Sequence, residues 1–257
     1  MTKKIFIANW KMNPPTLKEA ESLFLKIAKT ARLAKNTEVI ICAPNVFLSD
    51  LKKKIRQPAD KKISLGAQNV FYENNGPYTG EISSAMLKSL GIKYVIVGHS
   101  KRREMGENNE SISRKLQFSL KSGLTPILCV GELQRDHNGD YLAFIKKQIN
   151  ECLKDISKSQ VKNILFVYEP VWAISNSRDR GATPEEFVEA SIFIKKVISD
   201  IYDAKTAHNI KIIYGGSVDS KNAKNFLLQG QADGLLIGVA SLKAEEFNKI
   251  ITIADKK

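Results

Sequence analysis

Cysteine is scarce: Cys42, Cys129 and Cys152 are the only three, and no two of them form a CxxC pair. The odd count and the wide spacing argue against a disulfide framework and against a zinc site. Cys42 and Cys129 stand inside apolar runs and read as small core residues. No stretch approaches the roughly 18 consecutive apolar residues that a membrane span needs. The opening Met-Thr-Lys-Lys-Ile forms no apolar leader. The expectation is a protein of the reducing cytoplasm with no membrane partner. Glycine is missing where an open dinucleotide-binding sheet would carry it. The first strand-like run ends in Asn9-Trp10-Lys11-Met12-Asn13, with no Gly-rich fingerprint. No low-complexity linker or break in composition divides the chain, so one domain over residues 1–257 is expected.

Acidic residues are outnumbered by basic ones, 27 to 40, for a net charge of +13. Nucleic-acid binding would want that charge clustered and interleaved with aromatics. Here it is spread along helix-like stretches, Lys26, Lys29, Arg32 and Lys35 in one and Lys146, Lys147 and Lys154 in another. The densest run, Lys52-Lys53-Lys54, contains no aromatic residue. Solvated helix faces account for this pattern better than a nucleic-acid partner does. A small anionic substrate is compatible with the positive field without being demanded by it.

What the chain does have is alternation. Short β-branched apolar runs cover residues 5–10, 38–42, 63–69, 94–98, 125–130, 163–168, 210–214 and 233–237. Between them lie stretches with helical spacing, as in Leu17, Ala20, Phe24, Ile27 and Ala31. Further helices are predicted over about 46–55, 83–90, 111–121, 141–153, 183–201, 223–229 and 245–253. Thr183-Pro184-Glu185-Glu186 reads as an N-cap, a proline at the first helical position and acids in the first turn. Runs as apolar as Tyr94-Val95-Ile96-Val97 suit strands of a parallel sheet covered on both faces. Eight βα units in about 250 residues predict a single-domain (β/α)8 TIM barrel, with an open doubly wound sheet as the structural alternative.

In such a barrel the chemistry gathers at the C-terminal ends of the strands. Those positions hold Asn9 and Lys11, Gly98-His99-Ser100, Glu169-Pro170, Gly215-Gly216-Ser217 and Gly238. Taken singly, each has a bland reading: a capping carboxylate, a hydrogen-bonded imidazole, a solvated lysine, a turn. On one face of one barrel they supply a base, a neutral electrophile, a cation for developing negative charge and bare backbone N–H groups for phosphate. That combination suits enolisation of a phosphorylated carbonyl compound.

The motifs Asn9-Trp10-Lys11-Met12-Asn13, Thr79-Gly80-Glu81-Ile82-Ser83, Gly98-His99-Ser100-x-Arg102-Arg103, Tyr168-Glu169-Pro170-Val171-Trp172-Ala173-Ile174 and Tyr214-Gly215-Gly216-Ser217-Val218 together resemble the triosephosphate isomerase family, in order and over nearly the whole chain. The resemblance implies an aldose–ketose isomerase with Glu169 as the proton-transferring base, His99 as a neutral electrophile and Lys11 steadying enediolate and phosphate. It implies substrate-binding roles for Asn9, Lys11, Ser175, Gly216, Ser217, Gly238 and Val239, a lid beginning at Pro170-Val171-Trp172, and no metal or organic cofactor. It also implies a homodimer, through insertion of the loop around Thr79-Gly80-Glu81 into a neighbouring subunit.

Three departures accompany the resemblance. Lys101 occupies a position that is usually glutamate, which sets two cations near the same region. The segment Ile174-Ser175-Asn176-Ser177-Arg178-Asp179-Arg180-Gly181-Ala182 lacks the usual lid glycines and is about two residues longer. Val239 places a branched side chain after Gly238, where the family usually has a second glycine. The catalytic trio matches while the substrate grip is altered. Triosephosphate isomerase is the first reading, an isomerase of a four-carbon ketose phosphate such as an erythrulose phosphate the second, and a barrel that binds anions or partners without turnover the third.

Overall fold

The computed structural model describes residues 3–56, 60–136, 138–174 and 180–254. Eight parallel strands close in sequence order: β1 Lys4–Asn9, β2 Thr37–Cys42, β3 Ile63–Ala67, β4 Tyr94–Val97, β5 Thr125–Val130, β6 Leu165–Tyr168, β7 Lys211–Tyr214 and β8 Gly234–Ile237. β1 pairs with both β2 and β8, which shuts the barrel and leaves no open edge among them. The expected (β/α)8 TIM barrel is therefore the fold, and the open sheet is excluded.

The apolar runs conceal a period of two. Ile5, Ile7, Ile40, Cys42, Cys129, Val167, Ile213 and Leu236 share the barrel's own core. Their neighbours Phe6, Ala8, Ile41, Phe166, Tyr168, Tyr214 and Ile237 join the layer between sheet and helices. Cys42 and Cys129 are thus buried core residues, as read from their surroundings in the sequence. Carrying the inward parity to the last residue of β1 and one step past β6, β7 and β8 brings Asn9, Glu169, Gly215 and Gly238 to the C-terminal mouth. Strand register thus sets Asn9 and Glu169 at the same end of the barrel.

The helices are α1 Leu17–Leu33, α2 Asn45–Lys54, α3 Ser84–Ser89, α4 Ser100–Glu104, α5 Asn109–Lys121, α6 Asp140–Cys152, α7 Lys158–Val161, α8 Pro184–Ile201, α9 Ala204–Asn209, α10 Ala223–Leu228 and α11 Ala244–Ile253. α1 buries Ala20, Phe24, Ile27, Ala28 and Ala31, and each large side chain among them contributes about 1.5–3 kcal/mol. Leu17 opens that helix but stays partly exposed. α8 starts as its sequence predicts. The Thr183 hydroxyl accepts from the Glu186 N–H at 3.3 Å, and the Glu186 carboxylate accepts from the Thr183 N–H at 2.8 Å.

Three short helices, α4, α7 and α9, have no counterpart in the periodicity of the sequence. They run five, four and six residues, too few for a 3.6-residue period to show. α7 also explains why β6 starts at Leu165 rather than 163. The N–H groups of Asn163 and Ile164 donate to the carbonyls of Gln160 and Val161, closing a turn. Among the described residues no helix is long and apolar enough to cross a membrane.

Candidate active site

Glu169 follows β6 directly, its N–H donating to the Val130 carbonyl at 2.8 Å. Its side chain is buried and collects three donors. The Ser100 N–H reaches Oε2 at 2.9 Å, the Ser100 hydroxyl reaches Oε1 at 2.9 Å, and His99 Nε2 lies 3.0 Å from Oε1. A buried carboxylate is tolerated only when satisfied in this way. The contact with Ser100 is a consequence of α4, whose first turn aims its N–H groups at the mouth.

His99 is the N-cap of α4, and its Nδ1 accepts the Lys101 N–H at 3.1 Å. An imidazole nitrogen that accepts carries no proton, so the proton of the neutral ring sits on Nε2. Burial pushes the His99 pKa down, with the Glu169 charge opposing and the Lys11 and Lys101 charges adding to the effect. The ring is thereby a neutral Nε2–H donor, with the tautomer fixed by the helix end.

Lys11 adopts the left-handed region, φ 53°, which costs a side-chain-bearing residue roughly 1–2 kcal/mol. Its N–H donates to Asn9 Oδ1 at 3.1 Å, and its carbonyl accepts from Gln68 Nε2 at 2.7 Å. Gln68 Nε2 also reaches the Cys42 carbonyl at 2.9 Å, which pins it across β2. The Lys11 stem lies over Gly238: a Cβ there would stand 3.5 Å from its Cε and 3.6 Å from its Nζ. Among the described residues the ammonium has no hydrogen-bond or ion-pair partner. Asn9, Lys11 and His99 line one cavity of about 460 Å³ together with Gln68, Asn69 and Arg102. Glu169 does not line this cavity itself and is joined to it through its contact with His99 Nε2.

Of the other residues expected at the site, Gly216 follows β7 with no room for a side chain, since a Cβ would meet the Tyr214 hydroxyl at 2.3 Å. The Ser217 N–H donates to the Ala173 carbonyl at 3.3 Å, tying this loop to the turn after Glu169. The Gly238 carbonyl accepts both the N–H and the hydroxyl of Ser241, at 2.9 and 2.6 Å. Val239 opens a 3₁₀ turn and is largely exposed. Ser175 lies outside the described residues.

Three residues at or beside the site received no role from the sequence. Ser100 stands inside the Gly98-His99-Ser100 motif, but its grip on Glu169 emerges only once α4 exists. Gln68 works on a backbone conformation, which no side-chain pattern encodes. Glu132 could have been found, being a carboxylate just past β5. Its Oε1 accepts from the Tyr168 hydroxyl at 2.8 Å and from Trp172 Nε1 at 2.7 Å. Burial raises its pKa against the pull of those donors.

The departure at Lys101 resolves towards solvent. Lys101 lies in the cavity wall, but its ammonium pairs with Glu104 at 2.6 Å, the two side chains being 58% and 66% exposed. Such i,i+3 surface pairs contribute about 0–1 kcal/mol. Lys101→Glu is therefore expected to change kcat/KM by less than about tenfold. A steady-state comparison giving a hundredfold change in either direction would mean that the charge acts on Lys11 directly.

The sequence matches the triosephosphate isomerase family over residues 4–254. It is 42% identical over 253 residues to a protein of Dictyoglomus thermophilum named triosephosphate isomerase, spanning 98% of this chain and 99% of that one. The protein of the same name from Dictyoglomus turgidum is 40% identical over 253 residues, with the same coverage.

Proposed function

This chain belongs to the triosephosphate isomerase family, and from that premise we propose that Glu169, His99 and Lys11 carry its isomerase chemistry. The enzyme is an intramolecular oxidoreductase that interconverts glyceraldehyde 3-phosphate and dihydroxyacetone phosphate, a step of glycolysis. The Glu169 carboxylate takes a proton from the carbon next to the carbonyl. The His99 Nε2–H hydrogen-bonds the carbonyl oxygen as negative charge gathers there, then shuttles a proton between the two adjacent oxygens. Glu169 returns its proton to the neighbouring carbon, so atoms and electrons balance without a cofactor or metal. Lys11 stabilises the enediolate and the phosphate, and Asn9 orients the substrate. Backbone at Gly216, Ser217, Gly238 and Val239, with Ser175 from the lid, holds the phosphate.

The observation that carries this reading is the orientation of His99. Its Nδ1 is committed to the Lys101 N–H, so the face turned towards Glu169 is a donor. In the structure that donor is engaged by the base itself. Turnover requires Glu169 to leave His99 and Ser100, handing the Nε2–H to the substrate oxygen.

The relatives' name favours a three-carbon substrate over the four-carbon alternative. Dihydroxyacetone phosphate is expected to exceed the erythrulose phosphates in kcat/KM by at least about tenfold, since one extra carbon in a fitted pocket costs about 1–3 kcal/mol. A panel of phosphorylated ketoses checks this. Preference for a four-carbon substrate would overturn the triose reading, and no turnover of any would favour the inactive barrel.

We read the active form as a cytoplasmic homodimer of single-domain subunits with no nucleic-acid or membrane partner. Met12 is 93% exposed, and with Met105 it flanks the cavity beside Lys11 and His99. Exposed methionines at a cavity rim suit a covering partner. The loop that would cover them is braced for the purpose. Phe71 stacks on Tyr72 and meets Tyr78 at a tilt, and Arg114 lies 3.8 Å from the Tyr72 ring centroid while donating to Glu73 at 2.6 Å. Sedimentation at micromolar concentration is expected to show a dimer. A fully active monomer there would refute the assembly.

A further inference from the structure

A second cavity, of about 630 Å³, opens between α4, α5 and α6 behind the catalytic base. Its volume lies in the range of small-molecule sites. Leu133, 61% exposed, and the half-exposed Phe144 line it together with Val171. Such side chains at a concave opening offer an apolar seat.

The charge on its wall is unbalanced. Arg103 spends its donors on uncharged groups: the Gly98 carbonyl at 2.7 Å, Asn109 Oδ1 at 2.5 Å, the Cys129 carbonyl at 3.2 Å and Cys152 Sγ at 3.9 Å. Among the described residues no carboxylate pairs with it. Glu104 is taken by Lys101. Glu151 accepts from Asn109 Nδ2 at 2.7 Å and lies 4.0 Å from Lys147. Two cations against one available carboxylate leave a residual positive charge beside the apolar seat.

The wall is also the support of the base. Ser100, which lines the cavity, donates to both oxygens of Glu169. Gly131 lines it too, and a Cβ there would fall 2.0 Å from the Glu169 carbonyl oxygen, so backbone meets backbone with no atom between. Val171 begins the turn that follows Pro170.

We propose that this cavity is an effector site for a small aromatic carboxylate, its ring against Phe144 and Leu133 and its anion towards Lys147 and Arg103. Filling it packs α4 in place and holds Ser100 on Glu169, which lowers turnover. This second half rests on Glu169 being the base, whereas binding does not.

Calorimetric titration of the intact enzyme with 1-naphthylacetate, against its neutral amide, tests both halves. The carboxylate is expected to bind at least tenfold more tightly than the amide, and saturating inorganic phosphate leaves that binding unchanged. Phe144→Ala and Lys147→Glu, neither in the catalytic machinery, are each expected to weaken it at least tenfold with basal kcat/KM unchanged. With dihydroxyacetone phosphate the ligand should lower kcat at least twofold without raising KM. Equal affinity for acid and amide, competition by phosphate, or no measurable binding would each overturn the site. Binding with kcat unaffected overturns the regulatory half. The titration is repeated on Glu169→Gln. Binding retained there supports the site whether or not Glu169 proves to be the base, and binding lost there would overturn it.

Discussion

Glu169→Gln is expected to cut kcat by about 10³-fold or more, with a much smaller change in KM. General base catalysis contributes about 10²–10⁴-fold, and an amide of nearly the same shape accepts no proton from carbon. The fold should bear the change, though with some loss. Oε1 accepts from the Ser100 hydroxyl and from His99, and Oε2 accepts from the Ser100 N–H. An amide can keep its oxygen on the first pair, but its NH2 then faces the Ser100 N–H, donor against donor. Leaving that backbone group unsatisfied costs about 1–3 kcal/mol. Thermal unfolding run beside the kinetics separates the two effects. A variant that melts lower and still turns over within tenfold of wild type would remove Glu169 from the base role.

The second large effect is expected from Lys11→Met. Removing a cation aimed at developing negative charge costs about 10²–10³-fold in rate, and here it should appear in kcat/KM with both constants worsened. The substitution is mild structurally. The left-handed backbone at this position is held by the Asn9 side chain and by Gln68, neither of which touches the ammonium. A methionine stem still covers Gly238. Among the described residues the ammonium has no partner to orphan, so the loss belongs to the substrate complex. Steady-state kinetics with dihydroxyacetone phosphate decides it. A rise in KM with kcat intact would reduce Lys11 to a binding residue.

The barrel was legible because eight apolar runs alternate with helical spacing, a pattern few folds share. The runs themselves hid which residues face inward. Ile5 and Phe6 look alike in the sequence, and only closure of the barrel assigns one to its interior and the other to the outer layer. Glu169, His99 and Lys11 could be picked out because polar residues at strand ends are conspicuous against apolar neighbours. Gln68 was not, since its work is to bond the carbonyls of Lys11 and Cys42, and carbonyls have no letter in a sequence. Lys101 drew attention as a misplaced charge. Its answer, Glu104, lies three residues on, and the two meet only because residues 100–104 are helical. The altered lid lies mostly outside the described residues, so Ser175 keeps the role that resemblance alone implies.

On the proposed mechanism the five-residue α4 carries more of the chemistry than its size suggests. Its first turn holds the Glu169 carboxylate through Ser100 and fixes the imidazole proton through the Lys101 N–H. Were that turn to fray, Nδ1 would lose its donor and the ring could carry its proton on either nitrogen. Molecules with the proton on the wrong side would turn a lone pair towards the substrate oxygen and repel the charge they should stabilise. The barrel, with its large buried core, decides how many molecules are folded. A single turn of helix at its mouth decides how many of the folded ones are competent, and these two populations need not decline at the same temperature.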